Sequence, residues 1–108
     1  MTHTFPLRVY YDDTDAGGIV YYANYLKFAE RARTEMIRDL GMTNRQLRED
    51  EHILIVVRHI EVDYSASAVL EDDLIVESLV TDIGRTSFTM KQTVLKNALP
   101  CATLIVKL

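Results

Sequence analysis

Three aspartates, two adjacent glycines and three tyrosines fall within the stretch Asp12–Tyr25, DDTDAGGIVYYANY. It sits between a segment that reads as a strand and one that reads as an amphipathic helix. The first turn of a helix leaves backbone N–H groups unpaired, and such donors stabilise the negative charge of a developing oxyanion. A carboxylate held just upstream, such as Asp15, can act on the same substrate as general base or as nucleophile. The plainer reading is a tight turn whose aspartates cap the backbone and whose glycines, Gly17 and Gly18, permit positive φ. Spacing alone does not separate the two.

The elements that must position this stretch follow from periodicity. Leu7–Tyr11 (LRVYY) reads as a first strand, with Pro6 just before it. Asn24 is a candidate N-cap for a helix running to about Leu40. Tyr25, Phe28, Ala29, Ala32, Met36, Ile37 and Leu40 form its apolar stripe. Gly41 stands where a helix ends in a left-handed residue. Thr43–Asp50 suggests a short polar helix capped by Thr43. The period then becomes two. Ile53–Val57 reads as a buried apolar run that continues into alternation at Ile60, Val62 and Tyr64. After a bend at Ser65–Asp73, further strands are expected at Leu74–Ile83, at Ser87–Leu95 and from Ala102 to Leu108. Short turns require antiparallel neighbours, and one apolar helix stripe needs one sheet face. The expected architecture is α+β: a curved antiparallel five-stranded sheet around one long central helix, in a single domain over 1–108. The last strand, CATLIVKL, reads as a long, weakly charged edge, so a homodimer at least is expected.

Composition narrows the function. The chain has 108 residues, a net charge of -4 and a hydrophobic share of 48%. That charge gives no support for nucleic-acid or anionic-membrane binding. Its apolar runs are too short for a membrane span, and the N-terminus lacks the pattern of a signal peptide. A single cysteine, Cys101, excludes an internal disulfide and reads as a small buried hydrophobe. A cytoplasmic location is expected. DDTDAGG shares features with a calcium loop but lacks the closing Glu, so no metal is expected.

The run RVYYDDTDAGGIVYYANYLKFAERARTEMIRDLG closely resembles the opening of the Tol-Pal-associated acyl-CoA thioesterases, within the 4-hydroxybenzoyl-CoA thioesterase branch of hotdog-fold enzymes. VVRHIEVDYSASAVLEDDL and IGRTSF match more loosely. The resemblance implies hydrolysis of a short-chain or aromatic acyl-CoA to free acid and coenzyme A, with no cofactor. It implies Asp15 as the catalytic carboxylate and a backbone N–H near Tyr22 as the oxyanion donor. Tyr11 matches a tyrosine close to the catalytic Asp. Gly17, Gly18, Val20 and Tyr25 fall in the substrate-binding segment. Arg85, with Thr86 and Ser87, matches a place where basic and polar groups meet coenzyme A phosphates. The resemblance also implies a site at a subunit interface, a homodimer or homotetramer, and acyl carrier protein as an alternative partner.

The sequence departs from that pattern in three places. Tyr22 stands where the Tol-Pal-associated members usually have His. SASA after Tyr64 replaces a segment that usually contains proline. The chain stops at Leu108, where relatives continue. The residues themselves suggest that Asp12 and Asp13 are turn and surface groups, that His59 lies on the polar face of its strand, and that Arg58 is an exposed charge or a phosphate contact. One rival reading is a non-catalytic acyl-CoA or acyl-carrier-binding accessory protein of the cell-envelope Tol-Pal system. Another is a hotdog hydratase, which generally needs a His beside the Asp at the helix entry; none of His3, His52 and His59 lies there.

Overall fold

The computed structural model describes residues 2–108. Its strands are β1 (Thr2–Arg8), β2 (His59–Tyr64), β3 (Asp73–Ile83), β4 (Phe88–Lys96) and β5 (Leu99–Lys107). They form one antiparallel sheet in the order β1-β3-β4-β5-β2. The long helix α1 (Asn24–Asp39) packs on the β1, β3 and β4 side of the sheet, and α2 (Asn44–Glu49) follows it. The expected α+β fold is observed.

Alternation accounts for the core. Leu74 and Val76 of β3, Met90 and Val94 of β4, and Ala102, Leu104 and Val106 of β5 are buried together. Tyr25, Phe28, Ala29 and Ala32 of α1 close over them. Burying a side chain the size of Phe28 contributes about 2–3 kcal/mol. The stripe fades toward the C-terminus: Met36 is half-buried and Leu40 is exposed. Gly41, at φ 96°, makes the helix stop. Thr43 and Gln46 cap α2 reciprocally, each side chain accepting from the other's backbone N–H.

Three expectations are corrected. The first strand is Thr2–Arg8, not Leu7–Tyr11, because β1 pairs with β3 from Thr2↔Leu79 to Arg8↔Asp73. Pro6 is tolerated inside it because β1 is an edge strand. The last strand is no edge: β5 lies between β4 and β2, and the edges are β1 and β2. Ile53–Val57 is neither strand nor buried in the single chain. Ile53, Leu54, Val56 and Val57 are 46–67% exposed, and only Ile55 packs against the core. Pairing with β5 begins after this run, at the Arg58 N–H to Lys107 carbonyl bond of 2.8 Å.

Candidate active site

The approach to α1 is built by a buried carboxylate. Asp13, 5% exposed, ends the 3₁₀ turn Tyr11–Asp13. Its carboxylate accepts from the Tyr10 N–H at 2.9 Å and from Asn24 Nδ2 at 3.0 Å. Its carbonyl accepts from the Tyr21 N–H at 2.9 Å. Asp13 is therefore not the surface group expected from the sequence. Asn24 is not the N-cap either: Ala23 occupies that position in helical conformation, and Asn24 is the first helical residue, turned to Asp13. Each residue hides the other's polarity, which neither residue type reveals when read alone.

Asp15 sits at the tip of the next loop. Thr14 bridges to Val20, and the Asp15 N–H donates to the Ile19 carbonyl at 3.0 Å. Buried Val20 ties this small hairpin to the rest of the fold, its N–H donating to the Ala68 carbonyl at 2.9 Å. Gly18 adopts φ 79°, which an L side chain rarely takes. Asp15 is exposed, and its Oδ1 accepts from the Gly17 N–H at 2.8 Å. The turn-capping role is thus present. Oδ2 has no partner among the described residues and is free to act on another group.

Tyrosines surround the start of the helix. The Tyr22 N–H has no acceptor among the described residues, as an oxyanion donor requires. The Tyr22 carbonyl accepts from the Tyr64 hydroxyl at 3.0 Å. The Tyr64 ring meets the Tyr22 and Tyr25 rings edge-on, with centroids 6.2 and 5.6 Å apart. Tyr25 is core, as its place on the stripe implied, and its hydroxyl accepts from the Ala68 N–H at 3.0 Å. Its phenol is pushed above the ordinary tyrosine range, chiefly by burial. Tyr21 is raised chiefly by neighbouring Tyr22, and the charge of Asp15 adds to this. Tyr11 is exposed on the 3₁₀ turn, and its carbonyl accepts from the Thr14 hydroxyl. Sequence reasoning missed Tyr64. Its alternation with Ile60 and Val62 suggested core, and only the forty-two-residue contact with Tyr22 gives it a place at the site.

The basic group lies elsewhere. Arg58, Arg85, Thr86 and Ser87 line one cavity of about 460 Å³, with Leu54 and Ile83 among its apolar walls. Arg58 and Arg85, far apart in sequence, are brought together. No residue of Asp12–Tyr25 lines this cavity. His59 faces solvent beside Glu61, its Nε2 3.2 Å from Oε1. Cys101 is buried, and burial pushes its thiol up. Among the described residues, no cluster of His, Cys, Asp and Glu is placed to hold a metal ion, and no helix is long and apolar enough to cross a membrane.

Comparison with known proteins bears on the chemistry. The family model of the thioesterase superfamily matches residues 17–98. The chain is 43% identical over 104 residues to the acyl-CoA thioesterase YbgC of Haemophilus influenzae, covering 96% of this chain and 76% of that protein. It is 46% identical over 88 residues to the acyl-CoA thioester hydrolase YbgC of Escherichia coli, covering 82% of this chain and 65% of that one. The crystal structure of a probable thioesterase from Bartonella henselae superposes with a TM-score of 0.94 at 35% identity, over 99% of this chain and 89% of that chain. A family pattern that begins inside the Asp15 loop and runs through β4 to the turn before β5, on a sheet and helix that superpose almost entirely on a solved relative, shows that the chain belongs to the hotdog-fold thioesterase superfamily.

Proposed function

We propose that this protein is an acyl-CoA thioesterase that hydrolyses a short-chain or aromatic acyl-CoA to the free acid and coenzyme A. The observation that carries the reading is the pairing of a carboxylate with one free oxygen, Asp15, and an unpaired N–H at Tyr22, on the two sides of a hairpin fixed by Asp13 and Val20. In the general-base route, Asp15 takes a proton from water as the water oxygen bonds to the thioester carbon. The carbonyl oxygen becomes an oxyanion at the start of α1. Collapse breaks the C–S bond, and the proton passes to the departing thiolate. In the nucleophilic route, an Asp15 oxygen bonds to the carbon and expels the thiolate, and water then hydrolyses the mixed anhydride. Tyr22 replaces an imidazole, so the main chain and Asp15 perform either route without it. Gly17 and Gly18 leave room for close approach of the thioester, Val20 anchors the hairpin beneath them, and Arg85, Thr86 and Ser87 hold the phosphates of the coenzyme.

A site shared between two copies of the chain accounts for the separation of the Arg85 cavity from Asp15. Exposed Ile53, Leu54, Val56 and Val57 and the unpaired edge of β2 supply a surface for such a homodimer, or for a homotetramer built from it. A second reading is supported by the Asp15 to Gly17 bond, which alone would give Asp15 a purely structural role. In it the protein binds acyl-CoA or acyl carrier protein without turnover, as an accessory of the Tol-Pal system. Thiol release from a panel of benzoyl-type, short and long aliphatic acyl-CoAs tests the two. Turnover rejects the accessory reading; saturable binding without thiol release rejects the enzyme.

A further inference from the structure

A second polar centre lies under the middle of α1. Gln92 of β4 and Ser78 of β3 face each other across the sheet and are essentially fully buried, at positions where the pattern would place apolar side chains. The Gln92 amide nitrogen donates to the Ala29 carbonyl at 2.9 Å and to the Ser78 hydroxyl at 3.0 Å. Its orientation is thereby fixed, and its oxygen is presented to Arg33, whose Nη1 donates to it at 2.8 Å. Arg33 is partly buried, and burial lowers its guanidinium below the ordinary arginine range while Glu30 opposes the shift. Arg33 forms no ion pair among the described residues. A cation withdrawn from water without a counter-ion is costly to hold.

Arg33 lines a cavity of about 270 Å³ whose apolar walls include Met36, Ile55, Phe88 and Met90. Thr34 and Asn44 lie on its polar side, where Asn44 Nδ2 donates to the Thr34 hydroxyl oxygen at 3.3 Å and leaves the hydroxyl hydrogen free. Glu30, exposed, stands at the rim. One guanidinium and one rim carboxylate suit a singly charged anion better than a phosphate dianion. The apolar walls suit a short alkyl or aryl group. We propose that this cavity is a second binding site for a small organic monocarboxylate, its carboxylate on Arg33 and the Thr34 hydroxyl and its hydrocarbon part against Ile55 and Phe88. Ile55 and Phe88 form a wall shared with the Arg85 cavity, while Arg33, Thr34 and Asn44 line this cavity and not that one.

Titration of the whole protein with benzoate, followed by ¹⁵N-resolved NMR, tests this. The expected result is saturable shifts at Arg33, Thr34 and the Gln92 side-chain amide. These persist in Asp15→Asn, weaken about tenfold or more in Arg33→Met, and tighten in Glu30→Gln, where rim repulsion is gone. If Arg33→Met does not fold, the Glu30→Gln comparison and the wild-type map decide. Shifts confined to Asp12–Tyr25, shifts that do not saturate, or affinity unchanged by Glu30→Gln would overturn the proposal.

Discussion

The Tyr64 hydroxyl donates to the Tyr22 carbonyl at 3.0 Å, joining the end of β2 to the residue before the helix cap. The bond fixes the plane of the Tyr22–Ala23 peptide, next in the chain to the peptide that carries the Tyr22 N–H, and so restrains the backbone entering α1. Tyr64→Phe keeps the ring and removes only the bond. The expected effect is a fall in kcat of about fivefold, from the roughly 1 kcal/mol such a bond contributes. KM should stay close to wild type, and the melting temperature should fall by only a few degrees, the loss of that same bond. A change in KM alone would assign Tyr64 to binding rather than positioning.

Asp13 has the opposite profile. Removing its buried carboxylate strands the Tyr10 N–H and the Asn24 amide. Asp13→Ala should therefore lose about 3 kcal/mol of stability in urea unfolding, with activity falling as the folded fraction falls. A stable Asp13→Ala protein would show that the hairpin is held by Val20 alone.

Arg85→Ala tests the phosphate role. KM for an acyl-CoA should rise about tenfold, the effect of one charge-assisted contact, and kcat should change little. The same variant should be indifferent toward an N-acetylcysteamine thioester, which has no phosphates. Equal losses on both substrates would remove Arg85 from coenzyme recognition.

The pH dependence of stability should carry a contribution from Asp72 and Lys96. The Asp72 carboxylate accepts from Lys96 Nζ and from the Val69 N–H, each at 2.8 Å. Burial alone would raise Asp72, but these bonds and the lysine charge outweigh it and hold it below the ordinary carboxylate range. Its folded pKa is thus depressed, so its contribution is present above the unfolded pKa and is lost as pH falls through the folded one. Lys96 is raised, chiefly by its bond to Asp72, so its contribution is present below the unfolded lysine pKa and is lost as pH rises through the folded one. Lys96→Met should flatten the acid limb of a stability–pH curve and leave the neutral plateau level. An unchanged acid limb would mean that the pair does not couple to folding.

Local patterning made α1, the cap on α2 and the alternating strands legible, because each follows from residue types a few positions apart. Edge position did not, because it depends on which strands pair. CATLIVKL has the composition of an edge yet lies inside the sheet, while the apolar Ile53–Val57 run stays outside it. At the site, the motif around Asp15 was readable as a pattern. The carboxylate that organises it, Asp13, was not, since its burial depends on Asn24, eleven residues away. Tyr64 and Arg33 were hidden for the same reason: their partners are Tyr22 and Gln92, and no period links them.

The central claim is that Asp15 performs chemistry and does not merely cap its own turn. Asp15→Asn separates these roles, because the amide oxygen can still accept from the Gly17 N–H. The measurement is single-turnover thiol release from a bound acyl-CoA, beside a melting curve. The account predicts a rate lowered about a hundredfold or more, with binding and melting temperature retained. A rate within a few-fold of wild type would contradict it.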